Sequence, residues 1–136
     1  MDTGKVVMAY TETLAETDWD FGKALWQELR LNKKFPAKGA LWLFQPESGE
    51  WHFLIATPRV DDVGPRKAYE ELSDITRSMA TDSSKFQKIE LISPEQPFYR
   101  ALRSVFGNTA SVEGARLGNT QIGGRYINDA YLYEIR

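Results

Sequence analysis

Residues Gly39–Thr57 read GALWLFQPESGEWHFLIAT, in which two short apolar runs, Ala40–Phe44 and Trp51–Ala56, enclose a segment rich in turn-forming residues. This pattern predicts a β-hairpin with a loop longer than the two-residue minimum. Successive side chains of a strand point to opposite faces, so the aromatic residues of both runs share one face. Both faces are apolar, and the hairpin is therefore either covered on both sides or offers one aromatic face to a partner.

The aromatic face of this hairpin comprises Trp42, Phe44, Trp51 and Phe53. If it were exposed, these rings would form an interaction surface for a protein partner or for a second copy of the chain. Three tyrosines on the predicted C-terminal strands would extend it into a base-stacking platform for single-stranded nucleic acid: Tyr126, Tyr131 and Tyr133. The alternative is that the rings pack in the core or in a subunit interface.

The composition is that of one ordinary globular domain of 136 residues, with 42% hydrophobic and 26% charged residues. The absence of cysteine excludes disulfides and cysteine-ligated metals, and it is consistent with a reducing cytoplasm. No segment approaches the ~20 apolar residues that cross a bilayer. The apolar run Val6–Ala9 is too short for a signal peptide. We therefore expect a cytoplasmic protein that does not contact a membrane.

The net charge is −2, from 17 basic and 19 acidic residues. Non-specific nucleic-acid binders usually carry an excess of basic residues, because their affinity comes mainly from neutralising phosphates. The overall balance argues against that class and leaves open a local basic patch.

Hydrophobic periodicity predicts three helices around the strands, the second beginning at Pro65 with Gly64 as its N-cap. The element order is α-β-β-α-β-α-β-β. We predict a single-domain α+β sandwich over residues 1–136, with a mostly antiparallel sheet of about five strands and helices mainly on one face.

Three details of this prediction concern the second half of the chain. Phe86–Ile92 is predicted as a strand, and an extra strand is expected around 112–117. The chain then ends in a hairpin whose turn is formed by Asn128-Asp129. Gly123-Gly124 is predicted to mark a bulge or a close approach of the backbone.

Arg59, Arg66 and Lys67 form the candidate anion-binding site, because they surround a loop that leaves a strand and enters a helix N-terminus. Three cations there could hold a phosphate or a carboxylate. The alternative is local pairing of Arg66 with Glu70, and of Arg59 with a neighbouring aspartate.

Catalytic and metal-ligating patterns are weak in this chain. Asp61 and Asp62 could bind a divalent cation together with Glu90, but adjacent side chains rarely converge on one metal. His52 is the only histidine and has no partner at triad spacing. We therefore assign no catalytic residue, no metal site and no cofactor.

The segment Trp51–Tyr69 (WHFLIATPRVDDVGPRKAY) resembles a family of small uncharacterised bacterial proteins. In that family a Trp-led strand ends in Ile-Ala-x-Pro and is followed by Gly-Pro-Arg-x-x-Tyr. The resemblance implies a strand–loop–helix unit and a bacterial origin, and it implies no activity.

These observations favour a non-enzymatic protein-interaction or regulatory module, either oligomeric or an accessory subunit. The first alternative is a domain that binds a phosphorylated ligand or nucleic acid through Arg59, Arg66 and Lys67. The second is a metal-dependent hydrolase or nuclease that uses Asp61, Asp62 and Glu90.

Overall fold

The computed structural model describes residues 13–79, 83–107 and 112–136. Its helices and strands follow the chain in this order: α1 Glu16–Leu31, β1 Gly39–Gln45, β2 Glu50–Ala56, α2 Arg59–Val63, α3 Pro65–Thr76, β3 Ile89–Ile92, α4 Pro97–Phe106, β4 Arg116–Ile122 and β5 Arg125–Ile135. The predicted α+β class and five strands are confirmed. The five-residue helix α2 adds to the predicted order. The N-cap at Gly64 and Pro65 at the start of α3 are as predicted.

The sheet is mixed, with the strand order β3-β2-β1-β5-β4. Three strand pairs are antiparallel, and β2 and β3 are parallel. A parallel pair cannot be joined by a hairpin, so the chain between β2 and β3 crosses over through α2 and α3. The sheet is therefore mixed, and three of its four strand pairs agree with the prediction of a mostly antiparallel sheet.

The β1/β2 hairpin is covered on both faces. Trp42 pairs with Phe53, and Phe44 pairs with Trp51, and all four rings are buried. They share one core cluster with residues of α1 and α3. Because the chain's own helices cover these rings, they form no exposed interaction surface or stacking platform.

Leucines of the hairpin form a second cluster with α4 on the opposite face of the sheet. Of the described helices, α1, α2 and α3 contribute to the aromatic side, and α4 packs on the other side together with Val112. The expectation of helices mainly on one face is thus met in number, while α4 completes a three-layer arrangement. None of the described helices is both long and apolar enough to cross a membrane.

The C-terminal hairpin differs from the sequence prediction. Its turn lies at Gly123-Gly124, where φ is +59° and +80°, and Asn128-Asp129 lies inside β5. Two consecutive positive φ angles suit a two-residue hairpin turn, and glycine adopts them without a steric penalty. A Cβ on Gly123 would lie 2.6 Å from the carbonyl oxygen of Pro97, so the predicted close approach is present.

Two strand boundaries also differ. The segment predicted as one strand over Phe86–Ile92 begins as a 3-10 helix, Ser83–Lys88, and becomes β3 only at Ile89. The strand expected around 112–117 is β4, Arg116–Ile122, whose first residue lies near the end of the predicted range.

Helix α1 lies unusually close to the sheet at Gly22. A Cβ at this position would clash with the hydroxyl oxygen of Tyr133 and would lie 2.7 Å from Nε1 of Trp42. That indole donates a 3.0 Å hydrogen bond to Tyr133, whose hydroxyl donates to the backbone oxygen of Trp19 at 2.6 Å. Gly22 is unfavourable for helix propensity, but it allows α1 to reach this buried network.

Candidate anion-binding groove

Basic side chains from three parts of the fold meet at one end of the sheet, where β1 begins and β5 ends. Gly39 pairs there with Ile135, and the C-terminal end of α1 and helix α4 reach this end from opposite faces. We call the surface between them the basic groove, defined by six cations: Arg30, Lys33, Lys38, Arg100, Arg103 and Arg136.

The groove consists of two open depressions that share Arg103 and Arg136. The first has a volume of about 750 Å³ and lies along α4. The second, of about 370 Å³, lies between Arg103 and the segment that follows α1. Because both depressions share two arginines, they form one continuous surface around the end of the sheet.

The described side chains that line these depressions include no carboxylate and no aromatic ring. Six of the 17 basic residues of the chain are gathered there, although its net charge is −2. A concave surface lined by one sign of charge focuses the electrostatic potential and attracts the opposite sign. The groove is therefore suited to anions.

Glu134 holds two of the six cations in place. Its Oε1 accepts a 3.1 Å hydrogen bond from Nε1 of Trp26 and lies 3.1 Å from Nε of Arg30. Its Oε2 lies 3.6 Å from Nε of Arg136. Nη2 of Arg136 also donates to the carbonyl oxygen of Ala37 at 2.8 Å. These contacts orient Arg30 and Arg136, and they also neutralise part of their charge.

Tyr99 joins α4 to the end of β5. Its hydroxyl donates to the backbone oxygen of Arg136 at 3.0 Å, and it accepts from the backbone N–H of Arg136 at 3.2 Å. Burial raises the pKa of the Tyr99 phenol to about 12, so the hydroxyl keeps its proton at neutral pH. Arg136 N–H also donates to Lys38 at 2.8 Å. The backbone that carries Arg136 is thus fixed relative to α4.

The other four cations, Lys33, Lys38, Arg100 and Arg103, form no ion pair with the described residues. Cations near the C-terminal end of a helix interact favourably with its dipole, which accounts for Lys33 after α1 and Arg103 in the last turn of α4. It does not account for Lys38 or Arg100. These four charges are available to a ligand.

The sequence-predicted site around α3 has a different geometry. Arg59 donates to both carboxylate oxygens of Glu71, at 2.9 and 2.7 Å, and lies 3.9 Å from Asp62. The hydrogen bond from Arg59 lowers the pKa of the Glu71 carboxyl, and the same contact raises the pKa of the arginine. The guanidinium group of Arg59 is therefore paired with a carboxylate on α3.

Arg66 and Lys67 contact the same carboxylate, that of Glu70, at 3.8 and 4.0 Å. Arg66 is 95% exposed, so its pairing is weak. The Arg66–Glu70 contact matches the local pairing that the sequence offered as the alternative, whereas the main partner of Arg59 is Glu71 and not a neighbouring aspartate. Anion binding by Arg59, Arg66 and Lys67 stays a prediction.

The acidic candidates contact different partners. Asp61 accepts a 2.6 Å hydrogen bond from Ser93, whereas Glu90 lies 3.5 Å from His52, which also faces Glu50 at 3.7 Å. In the part of the chain that the structure describes, no group of three or more acidic, histidine or cysteine residues could hold a metal ion.

The basic groove was not found from the sequence. The local signal is modest: Arg100 and Arg103 lie three residues apart on an amphipathic helix, and Lys33-Lys34 follows another helix. Only the fold shows that these segments, on opposite faces of the sheet, meet at Arg136. No family model, no curated protein and no solved structure matches the chain at a significant level. Function is therefore inferred from the geometry of the molecule.

Proposed function

We propose that this domain is a non-enzymatic binding module that holds a phosphate-bearing ligand in the basic groove. The observation that carries the proposal is the convergence of six cations from α1 and the segment after it, from α4 and from the end of the chain's last strand, with no carboxylate among the described lining side chains. Arginine and lysine form their strongest hydrogen bonds with ionised partners such as phosphate.

A binding role is favoured over catalysis because the described side chains of the groove supply positive charge, and among them neither a histidine nor a carboxylate is present to activate the hydroxyl of Ser104 as a nucleophile. The only histidine of the sequence, His52, lies at the β2–β3 side of the sheet. General acid–base chemistry needs a group that exchanges a proton near neutral pH, and arginine does not.

The test is isothermal titration of the protein with inorganic tripolyphosphate, comparing the wild type with Arg100→Ala/Arg103→Ala. Both arginines lie on α4, where alanine is a good helix former, so the fold should be retained. Loss of two charge-assisted contacts, at about 1.5 kcal/mol each, would weaken binding by roughly 100-fold.

Two charge-matched variants make this test specific. Lys23→Ala/Arg77→Ala removes two exposed cations outside the groove and should bind like the wild type. Arg66→Ala/Lys67→Ala tests the site predicted from the sequence. If only this last variant loses binding, the anion site lies at α3 and the groove proposal is wrong.

A protein partner is the second candidate function. Leu31 at the end of α1 is 82% exposed, and Val105 near the end of α4 is 60% exposed. Both belong to the helices that supply the groove's cations, so an acidic partner could bury apolar surface beside the groove. Analytical ultracentrifugation that compares the wild type with the Leu31→Ser/Val105→Ser variant tests self-association. A strictly monomeric wild type would exclude self-association through this surface.

A further inference from the structure

We infer that the ligand of the basic groove is single-stranded nucleic acid, contacted through its phosphates without reading the bases. This inference rests on the proposed function and specifies its ligand. It follows from three properties of the groove: its openness, its chemical lining and the separation of its cations.

The lining is unsuited to a small phosphorylated molecule. Sites for such ligands are mostly apolar pockets that bury most of the ligand and use few polar groups. Here both depressions are open, and the described lining residues include no aromatic ring on which a base or sugar could stack. A mononucleotide would be held only by its phosphates.

The cations are spread over a distance that favours a polymer. Arg100 lines the depression along α4, Lys33 and Lys38 line the second depression, and Arg103 and Arg136 line both. The axes of helices on opposite faces of a sheet are about 20 Å apart, so a ligand that reaches across both depressions extends over up to about that distance. A stacked strand with one phosphate every 3.4 Å covers this distance with about six nucleotides. Arg136 lies between the two sets and would contact the middle of the strand.

The same lining predicts weak dependence on base sequence. Proteins that bind single strands without sequence preference commonly add affinity to a basic groove by stacking bases on aromatic side chains. The aromatic residues of the hairpin are buried in the core instead. Contacts limited to phosphates depend on salt, with a slope of about −0.7 in log affinity against log salt per phosphate neutralised on a single strand. The four cations without an ion pair predict a slope of about −2.8.

The experiment measures fluorescence anisotropy of labelled oligothymidylates of about 3, 10 and 20 nucleotides, at several salt concentrations. We expect clear binding of the two longer probes, much weaker binding of the shortest, and equal affinity for a mixed-sequence strand. Arg100→Ala/Arg103→Ala should reduce the slope by about 1.4, whereas Lys23→Ala/Arg77→Ala should leave it unchanged. Unlabelled polyglutamate is included as a competitor.

The outcomes separate this inference from the proposed function. If tripolyphosphate binds at the groove and the oligonucleotides do not, the ligand class is wrong and the phosphate site stands. If neither binds, both are wrong. The nucleic-acid inference is also overturned if polyglutamate competes as well as an oligonucleotide of equal charge, if a duplex binds as tightly as the single strand, or if the arginine variant binds like the wild type.

Discussion

Glu134 provides the sharpest test of the basic groove, because it is the acidic side chain that neutralises two of the groove's cations. Its carboxylate lies 3.1 Å from Nε of Arg30 and 3.6 Å from Nε of Arg136. A phosphate that binds either arginine competes with this carboxylate. Glu134→Gln removes the negative charge and retains an oxygen that can accept the hydrogen bond from Trp26.

The expected gain in affinity for a single strand follows from the number of cations that no longer contact a carboxylate. Two further phosphate contacts would change the salt slope for a single strand from about −2.8 to about −4.2. Each phosphate contact raises the affinity about fivefold at about 0.1 M salt, so the Glu134→Gln variant should bind a 20-nucleotide strand about 25-fold more tightly than the wild type does. Fluorescence anisotropy across a salt series measures both quantities.

A matched control separates this local effect from net charge. Glu113→Gln makes the same change at an exposed carboxylate that pairs with Lys23 at 3.1 Å, away from the groove. It should leave affinity and slope nearly unchanged. The reasoning is refuted if Glu134→Gln, with a circular dichroism spectrum like that of the wild type, keeps the wild-type slope, or if Glu113→Gln tightens binding equally.

Three further predictions concern stability. Arg116→Ala should lower the free energy of unfolding by about 3–5 kcal/mol, because it leaves the buried Asp129 carboxylate without its hydrogen bonds of 2.9 and 2.7 Å. Urea unfolding measures this loss. The explanation by charge burial is contradicted if the double variant Arg116→Ala/Asp129→Ala is no more stable than Arg116→Ala. Gly22→Ala should destabilise the protein despite better helix propensity, because its Cβ would clash with Tyr133; a raised melting temperature would contradict this. The free energy of unfolding should fall above about pH 10, the pKa of tyrosine in the unfolded chain, because Tyr99 with its pKa of about 12 keeps a proton in the folded state that the unfolded state loses. This tyrosine lowers the free energy of unfolding by up to about 1.4 kcal/mol per pH unit. Denaturation measured at a series of alkaline pH values should show a weaker pH dependence for Tyr99→Phe.

The central hairpin could be predicted because its information is local. Short, nearly continuous apolar runs on both sides of a turn-rich segment indicate the strands, and an apolar pattern on both faces indicates that both are covered. The sequence left open whether the covering came from a partner or from the chain. That question depends on where α1 and α4 pack, which no local pattern specifies.

The C-terminal hairpin shows how local turn signals compete. Asn128-Asp129 and Gly123-Gly124 are both turn-forming pairs, separated by only a few residues. The structure places the turn at the glycines, and Asp129 becomes a buried partner of Arg116. An aspartate in a strand needs such a partner, and Arg116 lies 13 residues earlier, beyond the reach of turn rules.

The candidate site escaped prediction for a related reason. Arg59, Arg66 and Lys67 are close in sequence, so they were visible as a cluster, but proximity in sequence also gives each of them a nearby carboxylate. The groove's cations come from distant segments, and four of them have no ion-pair partner among the described residues. Four cations that the fold brings together from distant segments therefore lack an ion-pair partner that a ligand would have to displace, whereas each cation of the cluster that is local in sequence has one.

The anchoring of the groove also bears on its affinity. Arg136 is fixed through its backbone to Lys38 and Tyr99, so part of the ordering entropy is already lost in the free protein. The exposed cations are not held in this way, and each would lose about 0.5–1.5 kcal/mol of side-chain freedom on binding. Affinity should thus be modest for one or two phosphates and grow with strand length, as several weak contacts form together. The acidic remainder of the chain, which brings the net charge to −2, would disfavour anions elsewhere and confine them to the groove.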